Sequence, residues 1–154
     1  MIKDLLLNFI KDYKITLTEN QYEQFQKYFE LLVEWNEKMN LTAITDESGV
    51  ALKHFADSLS LLNFVDIPQN STLADVGTGA GFPGVVLKIA RPDIKLTLID
   101  SLNKRLVFLN EVCSQLGIDA ELIHSRAEDG ARDEKLRESF DFVASRAVAR
   151  MNVL

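Results

Sequence analysis

The chain has one cysteine, two histidines and no uninterrupted apolar run near the length of a membrane span. Each shortage removes a class of protein. Cys113 alone can close no internal disulfide, so a reducing compartment, the cytoplasm, is the expected setting. A single domain of 154 residues buries about 70% of the surface its unfolded chain exposes, so no covalent staple is required. Two histidines and one cysteine offer no metal-ligand spacing, and no metal is expected. A helix that crosses a bilayer needs about 20 apolar residues. The opening MIKDLLLNFIKDY is broken by Lys3, Asp4, Lys11 and Asp12. It therefore reads as an amphipathic helix rather than the uncharged core of a signal peptide, and no membrane partner is expected.

Basic charge is also scarce. The formal net charge is −6, which argues against nonspecific binding to nucleic acid. Arginine is missing altogether from the first 60 residues, which carry six lysines against ten acids. The remainder carries eleven basic and thirteen acidic residues, including every arginine. Any local basic patch belongs to that second part. No repeat or low-complexity segment is visible.

What is present falls into two patterns. Thr18 and Gln21 form a capping-box signature, after which Tyr22, Phe25, Phe29, Leu32 and Val33 recur at helical spacing to about Lys38. Trp35 is expected to anchor this helix on the rest of the molecule. A further helix is expected over 47–64, with Val50, Phe55, Leu59 and Leu62 in the core. From Ser71 short apolar runs alternate with helical stretches. Strands are expected over 72–76, 95–100, 120–124 and 140–145. Helices are expected over 83–90, over 102–116 (with Ser101 as N-cap and Gly117 just past the end), and over 131–138. A further helix should follow the fourth strand. The alternation implies an α/β fold with a parallel sheet. Residues 1–66 read as an N-terminal helical extension packed on the core, and 67–154 as a Rossmann-like domain. Its last strand, FDFVAS, would be an apolar edge, which calls for more sheet beyond it.

Four of the seven glycines fall within Gly77–Gly84, in LADVGTGAGFPGVVLKI. A tight turn is one reading. The other is a surface against which a ligand can press, because a Cβ at Gly77 or Gly79 would intrude. Amides in the turn and at the start of the following helix would then donate to the ligand. A dinucleotide site asks for G-x-G-x-x-G, but here the third glycine comes one residue early and Phe82 stands where a small residue is wanted. Asp75 before the glycines would repel a pyrophosphate and attract an ammonium group, or else cap the turn. Asp100, closing the second strand, is placed to bond two ribose hydroxyls, or to cap the next helix. A nucleoside carrying a cationic amino acid, such as S-adenosylmethionine, has the matching shape. A noncatalytic nucleotide-binding module, NAD-linked for example, is the alternative of a different class.

Several segments together resemble the bacterial ribosomal small-subunit methyltransferase G family, also called glucose-inhibited division protein B. They are WNEKMNLTAI (35–44), KHFADSL (53–59), DVGTGAGFPG (75–84), DSLNKRLVFL (100–109), SRAEDG (125–130) and FDFVASRAVA (140–149). The resemblance covers about residues 20 to 150. It implies a class I methyltransferase fold and S-adenosylmethionine-dependent methylation of guanine N7 in 16S rRNA. The implied partner is 16S rRNA or the small ribosomal subunit, and the implied state a monomer. A methyltransferase acting on a small molecule or protein is the nearest alternative. By matching position, Gly77 and Phe82 lie at the cofactor and Asp100 at its ribose, joining Asp75 and Gly79, which the glycine turn itself puts forward as cofactor contacts. Ala127 and Glu128 lie at the adenine, and Arg146 faces both cofactor and target base. Arg146 and His54 are the candidate catalytic residues. His54 and Asp57, three apart on a helix, would share one face and close over the pocket. Family members continue for some tens of residues, so the resemblance implies a chain cut after strand four.

Overall fold

The computed structural model describes residues 1–125 and 139–145, and the backbone of Arg150–Val153. Five strands form one sheet in the order β3-β2-β1-β4-β5. They are β1 (Thr72–Val76), β2 (Lys95–Asp100), β3 (Ala120–His124), β4 (Phe142–Ser145) and β5 (Arg150–Val153). The first four are mutually parallel, with Asp75 level with Leu98 and with Ala144. Chain order runs outward from β1 to β3, then returns to the other side of β1 at β4. This reversal leaves a crevice beyond the carboxyl ends of β1 and β4, where open α/β sheets bind ligands.

The end of the sheet departs from expectation. No helix follows β4 over 150–153; the backbone there runs antiparallel to β4, with Phe142 level with Val153 and Ser145 with Arg150. The exposed amides and carbonyls of a lone β4 edge give the physical reason. A following segment that pairs with them satisfies more backbone groups than a short helix beside an open edge.

Among the described residues two helices lie on the sheet, α6 (Gly84–Ala90) and α7 (Asn103–Leu116); the helix expected over 131–138 lies outside them. Helix α6 starts one residue later than predicted, with Pro83 at its N-cap. Helix α7 has Leu102, not Ser101, at its N-cap, and no side chain caps it. Instead the carboxylate of Asp100 takes the Leu102 amide at 2.9 Å. At its far end Gly117 adopts φ 67°, the left-handed turn glycine allows. Cys113, on the inner face of α7, is buried.

The amino-terminal layer is helical. It contains α1 (Ile2–Phe9), whose Ile2 and Leu6 are buried, and α2 (Glu19–Asn36), capped as predicted by Thr18 and Gln21. The segment 47–64 is helical but not uniform. It comprises α3 (Glu47–Gly49), a π-wound stretch Val50–Ala56, α4 (Asp57–Leu59) and α5 (Leu61–Phe64). Val50, Phe55 and Leu59 are buried as expected, while Leu62 is half-buried. A single apolar cluster runs from Ile2 and Leu6 through Phe25 and Phe55 to Leu73, Val85 and Leu109. Helix α2 ties the layer to both sheet helices. Gln21 donates to the Ile89 and Ala90 carbonyls at 2.9 and 3.2 Å, and Gln24 to the Leu116 carbonyl at 2.9 Å. Trp35 packs on Phe108 of α7, ring centroids 5.7 Å apart.

Among the described residues no helix is long and apolar enough to cross a membrane.

Candidate functional site

The glycine turn leaves β1 at the crevice. Its amides are largely occupied from within. Those of Gly77 and Thr78 both donate to the Ile99 carbonyl of β2, at 2.8 and 3.1 Å, and those of Gly81 and Phe82 to the Thr78 carbonyl. At the start of α6, Gly84 donates to Asp75 Oδ2 at 2.8 Å and Val85 to the Gly81 carbonyl. This corrects the expectation that the turn and the helix start present unpartnered amides. A seven-residue helix whose first amides are already taken is not the anion cradle.

Asp75 is fully buried beneath the turn. Its Oδ2 accepts the Thr78 hydroxyl and the Gly84 amide, both at 2.8 Å. These are the bonds of a turn cap, one of the two roles its position allows. The cap explains Gly84, where a Cβ would come within 2.7 Å of Asp75 Oδ2 and 2.8 Å of Leu98. Gly81 answers a different demand. Its φ is +102°, and a Cβ there would strike the Tyr28 hydroxyl and Val85.

Gly79 is the exception in the turn. Its φ is +58°, and a Cβ built on it would meet nothing within 4 Å. Its open side is therefore not filled by the described residues. Its amide donates to Asp100 Oδ2 at 2.8 Å, so the two candidate ligand contacts from β1 and β2 are joined. Asp100 is 1% exposed. Its Oδ1 accepts the Leu102 amide at 2.9 Å and lies 3.4 Å from Arg105 Nη1.

The N-terminal layer braces this turn from behind. Phe82 is buried and stacks on His54, with centroids 4.3 Å apart and planes at 9°. Tyr28 lies on the other ring neighbours, 5.6 Å from Phe82 and 5.4 Å from Phe55. His54 Nε2 is 2.8 Å from Thr42 Oγ1, which also accepts the Ile44 amide. Asn36 Oδ1 in turn accepts the amides of Leu41 and Thr42 at 2.7 and 3.0 Å. The segment WNEKMNLTAI is thus a folded loop whose threonine holds the histidine that backs the glycine turn. His54 is buried and Asp57 exposed, and the helix is π-wound from Val50 to Ala56, which widens the turn between them.

Ala127, Glu128 and Arg146 lie outside the described residues. Sequence reasoning missed Tyr28, Thr42 and Thr78. Tyr28 was inside a helical pattern but one position off the expected stripe. The other two are hydroxyls whose partners are distant or reached only once the turn has closed.

The fold resembles solved methyltransferases. A protein-L-isoaspartate O-methyltransferase superposes with a TM-score of 0.61 at 13% identity, over 94% of this chain and 47% of its own. A Plasmodium falciparum protein assigned the same activity, crystallised with S-adenosyl-L-homocysteine, superposes at 0.55 and 19% identity, over 94% of this chain and 72% of its own. At such identities these likenesses establish the fold alone. Sequence likeness reaches further. Ribosomal RNA small subunit methyltransferase G of Desulforamulus reducens is 54% identical over 94% of this chain and 60% of its own length. The protein of that name from Staphylococcus carnosus is 51% identical over 97% and 63%. The chain thus spans about three fifths of the length of the curated relatives it matches. A family model described as rRNA small subunit methyltransferase G, GidB, matches residues 21–154, and with relatives above half identity this establishes that the chain belongs to that family.

Proposed function

We propose that this chain carries the cofactor-binding part of an S-adenosylmethionine-dependent methyltransferase that acts on guanine N7 of 16S rRNA. In this reading it works in the cytoplasm as a monomer, with residues 1–66 as a helical brace on the binding domain 67–154. The observation that carries the reading is the open side of Gly79 beside the buried carboxylate of Asp100, at the sheet's point of reversal, in a chain of this family.

The residues present fit the cofactor. Asp100 would take the ribose, and the unhindered backbone at Gly79 would let the nucleoside approach. Asp75 would act beneath them by holding the turn's shape. Ala127 and Glu128 are proposed at the adenine. When bound, S-adenosylmethionine supplies a methyl group on a positively charged sulfur. Guanine N7 has a lone pair and no proton, so no residue here has to accept one. Positioning of the reacting groups supplies about 7–11 kcal/mol in favourable cases. His54, buried against Phe82 and bonded to Thr42, is suited to bracing the turn rather than to carrying a proton. Arg146 is proposed to fix the target base through guanine O6 or a phosphate, in a base withdrawn from its stack.

The test is direct. Calorimetry with S-adenosylhomocysteine and with NAD should show binding of the first only. Incubation with free 16S rRNA and with small subunits, followed by cleavage at N7-methylguanine, should show methylation by a version extended to its relatives' length. Binding of NAD instead, or methyl transfer to protein alone, would overturn the reading. In the extended version, Arg146→Ala should lower turnover far more than cofactor affinity.

A further inference from the structure

We infer that Arg105 is a positioning residue for Asp100, holding carboxylate oxygen Oδ1 so that Oδ2 is presented to a ribose hydroxyl. This rests on the cofactor reading above.

The two oxygens of Asp100 are not equivalent. Oδ1 has two donors, the Leu102 amide at 2.9 Å and Arg105 Nη1 at 3.4 Å. A carboxylate oxygen offers about two lone-pair sites, so Oδ1 is filled. Oδ2 has one donor among the described residues, the Gly79 amide at 2.8 Å. It therefore keeps one acceptor site, and the residue that shares it is the glycine whose outer side is open. An arriving hydroxyl would find an acceptor site left on Oδ2, beside the open side of Gly79, and none on Oδ1.

Arg105 is suited to this task by its place. Its backbone amide bonds the Leu102 carbonyl at 3.1 Å, which sets it in the first turn of α7, beside the loop that leaves β2. Its side chain is 36% exposed, whereas that of Asp100 is 1% exposed. A carboxylate that deep is costly without compensation, and the guanidinium is the one cation within ion-pairing distance among the described residues. Rotation about the Cβ–Cγ bond would turn the Asp100 carboxylate plane out of line with the Gly79 amide; the contacts of Oδ1 with Arg105 and the Leu102 amide oppose that rotation. The planar fork of arginine does this better than the point charge of lysine.

The experiment is a double-mutant cycle on this chain, read as S-adenosylhomocysteine affinity by calorimetry, with folding checked by thermal melting. Arg105→Met should weaken binding at least tenfold, and Arg105→Lys by a smaller factor. In an Asp100→Asn background both changes should alter affinity less than twofold. A purely structural role would cost the same in either background. Arg105→Met binding within twofold of the unmodified chain would overturn the inference while leaving the cofactor reading intact, as would equal losses in the two backgrounds. If Arg105→Met does not fold, the Arg105→Lys pair of measurements decides by the same criterion. Failure of the unmodified chain to bind S-adenosylhomocysteine would overturn the cofactor reading and this inference with it.

Discussion

The phenol of Tyr28 donates its hydrogen to the carbonyl of Ala80, 52 residues further along the chain. One bond thus joins the middle of α2 to the centre of the glycine turn. Tyr28→Phe should keep the ring contacts with Phe55 and Phe82 but leave a buried carbonyl without that donor. We expect a loss of about 1–3 kcal/mol, measured by urea unfolding. Cofactor affinity should fall as well. An unchanged unfolding midpoint would show that the bond contributes nothing net.

Gly79 and Gly81 should respond to alanine in opposite ways. Both have positive φ, so each substitution carries a backbone cost of about 1–2 kcal/mol. At Gly79 that is the whole folding cost, because the new methyl meets nothing. It projects into the open side, so binding of S-adenosylhomocysteine should be lost from a folded protein. At Gly81 the methyl strikes Tyr28 and Val85, and unfolding should be the dominant effect. Melting and calorimetry on the two variants separate the cases.

Thr42→Val removes the hydroxyl shared by His54 and Ile44. The isosteric methyl can neither bond the imidazole nor accept the amide. A destabilisation of about 1–3 kcal/mol is expected. Thr42→Ser, which restores the oxygen, should recover most of it in the same denaturation assay. Loss in Thr42→Ser with none in Thr42→Val would point to packing of the methyl rather than to the hydroxyl.

Acid should weaken one particular corner of the molecule. The guanidinium of Arg91 bonds both oxygens of Asp93 at 2.8 and 2.9 Å, and the Asn70 amide adds a third bond. Arg91 first, and then that amide, hold the carboxyl of Asp93 well below the usual carboxylate range. A lowered native pKa stabilises the fold fully above the unfolded value, near 4, and the contribution shrinks as pH falls below it. Asp93→Asn should therefore cost more stability at pH 7 than at pH 2. Equal costs at both would show that the pair's charge is irrelevant.

Cys113 should be inert in the folded protein. Burial pushes its thiol up to about 11, and the thiolate is the reactive form. At pH 8 a thiol reagent should label it only as fast as the protein opens. Rapid labelling of native protein would mean that α7 is looser than its packing indicates.

Much of this architecture could be read along the chain because it is local. The strands at Thr72–Val76, Lys95–Asp100 and Ala120–His124 have the predicted bounds, since short apolar runs between turn signals have few other uses. The capping box of α2 and the glycine past α7 are likewise settled within a few residues. What escaped is what depends on distant partners. Arg150–Val153 is a strand because β4 is beside it; nothing in its own spacing demands that. Within the site, Asp100 stood out because it ends a strand. Its bonds to Gly79 and Arg105 became visible only once two loops had been brought together. Thr42 and Tyr28 are unremarkable in sequence for the same reason.

Two of the glutamines of α2 give the molecule a lever. Gln21 and Gln24 hold the last carbonyls of α6 and α7, at the ends remote from the crevice. Helix α7, with 14 residues, is about 21 Å long at 1.5 Å per residue. A few degrees of tilt at its tethered end would carry its first turn, and the arginine there, by more than an ångström. Fine alignment at the rim of the crevice therefore depends on amide side chains in the first turns of α2, at the end of that helix remote from the glycine turn.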